Sequence, residues 1–221
     1  MCQSTHRPLD SQTVCVVVYN YKVIKGTSPM TFDSIIEQYE TEVDELPAAH
    51  AKSGGASRNA SGLVYENLVE RTCVELELDA KKNDYYVTEE IDGIQIDTLQ
   101  VDWHIYKLGL LRYFVECKCY LDACYLMRAV INMIELHNSP DNGNRDNVEY
   151  AILAGQNACA DDKLVYYRAF FKKMTGKNLN VFFVNPQVKR NSKKPIYKAE
   201  YRQDFKLDSV VYNEFIDWLK K

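Results

Sequence analysis

The sequence predicts an α/β fold, a mixed central β-sheet flanked by helices, and three observations carry that prediction. Segments with apolar residues at three- and four-residue spacing alternate with short runs rich in β-branched and aromatic residues. Their order is helix, strands, helix, helix, strand, helix, which suits a layered sheet with helices packed on it. The length of 221 residues, with 46% hydrophobic and 26% charged residues, is that of one globular domain able to bury well over half of its unfolded surface.

The same figures exclude a disordered or collagen-like chain. No apolar run approaches the roughly 18 residues of a membrane span. Met1 to Pro8 lacks the apolar stretch of a signal peptide. The seven cysteines are odd in number and include no Cys-x-x-Cys pair, and no His lies at zinc-finger spacing. A reduced, cytoplasmic protein without a structural zinc is the expectation.

Element by element, Val14 to Tyr19 is β-branched and apolar, a short strand. Thr31 to Leu46 is an acidic amphipathic helix, with Phe32, Ile35, Ile36, Tyr39, Val43 and Leu46 on one side. Residues 47–62, rich in Ala, Ser and Gly, are expected to form a loop or linker. Leu63 to Leu78 is a helix capped by Asn59 or Ser61. Two or three strands follow across 84–119. Leu121 to Leu136 is a strongly apolar helix, broken by Ser139-Pro140-Asp141-Asn142-Gly143-Asn144. Asp161 to Met174 is helical, Leu179 to Val184 is a buried strand ended by Asn185-Pro186, and Ser209 to Leu219 is a closing helix. The chain divides as one domain, 1–221: an N-terminal strand, helix and loop over 1–62, a core over 63–136, and a basic C-terminal part over 137–221.

The net charge of −4 averages two unlike parts. Residues 1–150 hold 13 Lys and Arg against 24 Asp and Glu, whereas residues 151–221 hold 14 against 7. An asymmetry of that kind marks either an interaction surface or differently solvated faces.

Chemistry is concentrated in 94–122. An apolar run from Ile94 reaches Asp102-Trp103-His104-Ile105-Tyr106, the stretch Tyr106 to Arg112 can turn, and Tyr113-Phe114-Val115-Glu116-Cys117-Lys118-Cys119 returns as a buried strand. Period two puts Glu116 and Lys118 on one face and Val115, Cys117 and Cys119 on the other. The reverse turn brings Asp102 beside Glu116, so two carboxylates and an ammonium converge in apolar surroundings. Buried without partners, such charges cost several kcal/mol each. A divalent cation offsets that cost, and oxygen ligands favour Mg²⁺ over zinc. Lys118 then positions or deprotonates a water, or stabilises the transition-state charge. Asp97, ending the apolar pair Ile96-Asp97, competes with Asp102, which is preferred for its closer spacing to Glu116.

Asp102 followed by Glu116-Cys117-Lys118, between apolar strands and after a helix, resembles the PD-(D/E)XK nuclease superfamily, and the single-domain layout looks most like a type II restriction endonuclease. The resemblance covers 63–136 well and the rest in outline, and it departs from the pattern at Val101, where Pro is usual. It implies a restriction-endonuclease-like core in which Asp102 and Glu116 ligate Mg²⁺ and Lys118 assists the hydrolytic water. It also implies a further acidic residue from the preceding helix, Glu66 in preference to Glu70. The expected activity is Mg²⁺-dependent cleavage of double-stranded DNA at a specific short sequence by a homodimer, paired with a cognate DNA methyltransferase. The alternatives are a structure-specific repair or recombination nuclease of the same superfamily and a non-catalytic nucleic-acid-binding module.

For DNA contact, the basic segment around Lys189, Arg190, Lys193 and Lys194 suits a phosphate backbone, and Arg58 and Asn59 in the expected loop suit base edges. Gln156 and Asn157 either hydrogen-bond a base or end a turn. His104 is structural on this reading. No Ser-His-Asp order, phosphate-binding Gly-rich loop or dinucleotide fingerprint is present.

Overall fold

A computed structural model describes residues 31–53, 57–82, 87–91, 94–97, 101–139, 145–188, 196 and 198–221. The strand expected over 14–19 lies outside these described residues. The chain runs α1 (Phe32–Ser53), α2 (Ser57–Glu75), β1 (Asp79–Lys81), β2 (Val87–Ile91), β3 (Ile94–Asp97), β4 (Trp103–Lys107), β5 (Leu110–Leu121), α3 (Ala123–Asn138), β6 (Glu149–Asn157), α4 (Asp161–Thr175), β7 (Leu179–Phe183) and α5 (Ser209–Lys220). The fold is α/β: a five-stranded mixed sheet in the order β1-β4-β5-β6-β7 carries helices, and β2 and β3 form a separate two-stranded sheet. β1, β4 and β5 pair antiparallel, whereas β5, β6 and β7 pair parallel. No helix among the described residues is long and apolar enough to cross a membrane.

The expected loop over 47–62 is instead almost wholly helical. α1 continues through Pro47 to Ser53, and α2 begins at Ser57. Its alanines, read as linker composition, are the best helix formers, and they outweigh the single proline. Asn59 and Ser61 therefore sit inside α2 and do not cap it. The other end of α2 is closed without glycine. Glu77 takes a left-handed conformation (φ 56°), and the Leu78 N–H donates to the Cys73 carbonyl at 2.8 Å.

β6 is a strand that periodicity did not declare. Its core, Tyr150-Ala151-Ile152-Leu153-Ala154, is buried on both faces, so polar alternation is absent, as parallel central strands require. β5, its neighbour, separates two apolar clusters. Tyr113, Val115 and Cys117 join Ala151 and Leu153 against side chains of α1, α2 and α5, while Phe114 joins Tyr150, Ile152 and Ala154 against α3 and α4. Helix ends are fixed locally: the Asp122 carboxylate accepts the Tyr125 N–H at 2.8 Å, and that of Asp208 accepts the Val210 and Val211 N–H groups.

Asn185, fully buried just beyond β7, ties distant parts of the fold together. Its side-chain oxygen accepts the Tyr39 hydroxyl of α1 at 3.1 Å and the Tyr65 hydroxyl of α2 at 2.9 Å. Its amide donates to the carbonyls of Phe205 and Lys206 at 3.0 and 2.9 Å. Beneath it Gly155 lies so close to Tyr65 that a Cβ there would sit 2.2 Å from the phenol oxygen and 2.7 Å from the Cys119 carbonyl oxygen. Only glycine permits that approach. Asn185→Ala removes four hydrogen bonds and takes from the Tyr65 hydroxyl its Asn185 acceptor, while the Tyr39 hydroxyl keeps the Phe205 carbonyl and the Lys206 carbonyl keeps the Gln187 amide, so we expect it to cost about 1–3 kcal/mol in urea denaturation. Gly155→Ala should produce a loss of similar size.

Candidate active site

The candidate site forms where β4 begins beside β5. The ladder pairs Trp103 with Val115 and His104 with Phe114, and extending it by one residue sets Asp102 level with Glu116. The Asp102 N–H donates to Glu116 Oε2 at 3.3 Å, and the Cys117 N–H donates to Asp102 Oδ2 at 2.7 Å. Lys118 Nζ stands 2.5 Å from Glu116 Oε1 and 3.5 Å from Asp102 Oδ2, and it also donates to the Cys117 carbonyl at 3.0 Å. The three side chains thus form one hydrogen-bonded cluster.

Burial sets its electrostatics. The Glu116 side chain is 7% exposed, against 27% for Asp102 and 24% for Lys118. Desolvation and the neighbouring Asp102 charge push the Glu116 carboxyl up to about 7, in spite of Lys118. Burial likewise raises Asp102, with Lys118 and the Cys117 N–H pulling it back and Glu66 adding to the rise. For Lys118 burial works downward, but Glu116 and Asp102 outweigh it and hold the ammonium above its ordinary range. Two carboxylates around a single ammonium leave an excess of negative charge in a partly dry place.

That donor set fits Mg²⁺. Asp102 and Glu116 offer hard oxygens, and Oδ1 of Asp102 accepts no hydrogen bond among the described residues. Mg²⁺ is commonly held by one or two carboxylates, with water and substrate phosphate completing the octahedron. Among the described residues no group of three or more His, Cys, Asp and Glu side chains is gathered to hold a metal, so a tight all-protein cage of the zinc or calcium kind is not what this cluster resembles.

The remaining sequence-derived candidates fall as follows. Asp97 lies in β3, opposite Val87 in the two-stranded sheet, and Asp102 is the one level with Glu116. Glu66 of α2 is close enough for its charge to act on Asp102 and Cys117, but it pairs with Lys82 at 2.7 Å. Glu70, one turn further on, is exposed. Arg58 and Asn59 belong to the first turn of α2 and not to a loop, a correction that follows from the helix beginning at Ser57. Lys189, Arg190, Lys193 and Lys194 lie outside the described residues, between the buried Val188 and Ile196. Asn157 accepts the Cys159 N–H at 3.0 Å at the end of β6, and the buried Gln156 stands opposite Tyr120. His104 is fully buried, with its ring edge-on to Phe114 at 4.8 Å.

Lys82 is the residue that sequence reasoning missed. β1 is only three residues long, too short for a periodic pattern to show which strand it joins. The doublet Lys81-Lys82 was its only mark.

The raised Glu116 carboxyl predicts a pH dependence of stability. In the folded chain it binds a proton between its ordinary value of 4.5 and about 7, where the unfolded chain does not. Stability therefore falls as pH rises through that window, and the loss persists above it. Glu116→Gln removes this charge, so in chelator-containing buffer at pH 8 we expect its melting temperature to exceed that of the parent. The difference should shrink towards pH 4.5; a variant less stable than the parent at pH 8 would contradict the electrostatics described. No protein-family model matches the chain, and no curated protein matches it in sequence, so what this site does has to be argued from its own geometry.

Proposed function

We propose that the chain is a Mg²⁺-dependent endonuclease that hydrolyses phosphodiester bonds of double-stranded DNA at a specific short sequence, in the manner of type II restriction enzymes of the PD-(D/E)XK superfamily. The observation that carries this reading is the cluster of Asp102, Glu116 and Lys118 on the antiparallel pair β4–β5. Support comes from the order in which the chain builds it: a helix, an antiparallel group of strands, a crossover helix and a parallel strand beside the catalytic one.

Asp102 and Glu116 would hold the cation. When bound, Mg²⁺ lowers the pKa of a water for attack on phosphorus and neutralises charge on the phosphoryl oxygens. Lys118 keeps a positive charge beside both carboxylates, from where its ammonium orients the attacking water or stabilises the charge building on phosphorus. Glu116 is fixed by the Asp102 N–H, and Asp102 by the Cys117 N–H, so the two carboxylates face the reaction already oriented by backbone donors.

Cleavage of both strands favours a homodimer, because one such cluster serves one strand. The solvent side of α3 presents Met127 and Ile131, which favours it over the acidic α1 as the dimer face. A cognate methyltransferase that shields the host's own sites, and a cytoplasmic location, complete the proposal.

Incubation with plasmid DNA and millimolar Mg²⁺ should yield discrete fragments. A smear or nicking at junctions would favour a structure-directed nuclease, and intact DNA would favour a binding module. Glu116→Ala and Lys118→Ala should each lower the cleavage rate by at least about a hundredfold, the size of effect attached to losing a charge-stabilising group. A readout free of catalysis accompanies this. Mg²⁺ binding to the folded chain should raise the melting temperature of the parent and leave that of Asp102→Asn/Glu116→Gln unmoved.

A further inference from the structure

The ladder between β1 and β4 pairs Lys81 with His104, and one more step sets Lys82 level with Trp103. The ladder between β4 and β5 sets Asp102 level with Glu116. The row across the three strands is therefore Lys82, Trp103 and Val115, one residue along from the Asp102–Glu116 pair, and Glu66, the ion-pair partner of Lys82, connects it to that pair, since its charge acts on Asp102. Lys82 occupies the outer end of that row, and its side chain is 35% exposed.

Two contacts hold it there. Lys82 Nζ pairs with Glu66 Oε2 at 2.7 Å and lies 4.9 Å from the centre of the Trp103 ring. The adjacent Lys81 is directed elsewhere, towards Asp79 at 3.8 Å and over Tyr106 at 4.4 Å. An ammonium has three N–H donors, of which Glu66 takes one. The aromatic face and the carboxylate fix its position while leaving donors for a further acceptor.

Charge balance says what that acceptor is. Glu66, Asp102 and Glu116 against Lys118 and Lys82 leave one net negative charge in the neighbourhood. A bound divalent cation reverses this to one net positive, which suits a phosphodiester. We propose that Lys82 grips a backbone phosphate of the DNA strand next to the one being hydrolysed, and so acts as a positioning residue for that strand. This rests on the nuclease reading and deepens it, since Lys82 touches neither the metal-binding carboxylates nor the attacking water. Glu66 on this view serves as the counter-ion that keeps Lys82 in place.

The test uses binding without cutting. In the full chain carrying Glu116→Gln, affinity for a fluorescently labelled random-sequence DNA duplex is measured between about 50 and 200 mM salt. Adding Lys82→Met should weaken binding about tenfold near 0.1 M salt and reduce the slope of log affinity against log salt by about one, the signature of one lost phosphate contact. Adding Lys82→Arg should restore both. A purely structural role for the Glu66–Lys82 pair would shift the melting temperature and leave the salt slope alone, and an unchanged slope overturns the inference. Should Lys82→Met not fold, Lys82→Gln keeps the stem without the charge and is read in the same way. DNA binding with an unaltered slope removes only the role of Lys82. Should Glu116→Gln not bind DNA, the same comparison is made in the parent chain with Ca²⁺ in place of Mg²⁺, and no DNA binding there removes that role and the nuclease reading together.

Discussion

Glu116 is an ionisable side chain buried in the middle of a sheet, and much of the surrounding structure answers to that burial. A carboxylate there is tolerable only with a cation within reach, and Lys118, two residues on, is brought to 2.5 Å by the strand period alone. Asp102 arrives from the neighbouring strand and adds a second negative charge, which raises the Glu116 carboxyl further. A chain selected only for stability would fill this position with Val or Ile, like Val115 and Ile152 around it. The charge excess is kept at a cost, which the proposed cation site would require.

The geometry of the cluster depends on features away from it. β5 is the hinge of the design, because its two faces serve two different apolar clusters and its edges pair with an antiparallel and a parallel neighbour. Behind Lys118, the Cys119 carbonyl sits against Gly155, and the Tyr65 hydroxyl occupies the space a Cβ would need. Tyr65 is anchored by Asn185, and the next residue of α2 is Glu66, the partner of Lys82. A buried asparagine beyond β7 thus helps set where the outer charges of the candidate site stand. Networks of this kind specify one packing as much as they stabilise it, since every member has its partner only in a single arrangement.

Legibility in the sequence follows the same physics. The pairing of Glu116 with Lys118, and their separation from Cys117, was readable because period two is a local property of one strand. α1, α3, α4 and α5 were readable because each buries one stripe. β6 was not, because a strand covered on both faces has no stripe at all, and Gly155-Gln156-Asn157 looked like a turn when it is the end of that strand. The end of α1 and the start of α2 within 47–62 were hidden by composition, Ala serving equally as linker and as helix former. Lys82 was hidden for a different reason. Its position comes from a ladder between segments more than twenty residues apart, and nothing local to Lys81-Lys82 records which of the two lysines pairs with Glu66.

The overall charge shows why local fields outrank totals. A net charge of −4 argues weakly against nucleic acid, yet acidic side chains differ in what they oppose. Many lie along α1, several of them exposed. Glu42 there is already spent on Asn67 and Arg71, holding α1 to α2. Those at the candidate site are arranged with two lysines so that a single divalent cation changes the sign of the neighbourhood. On the proposed reading, Glu66, Lys82, Asp102, Glu116 and Lys118 together would repel a phosphate more than attract one before a cation binds, and the reverse would hold afterwards. On the proposed function, metal and DNA would bind with positive coupling, and the acidic total would be a condition for ordered assembly of the site and not an objection to a nucleic-acid partner.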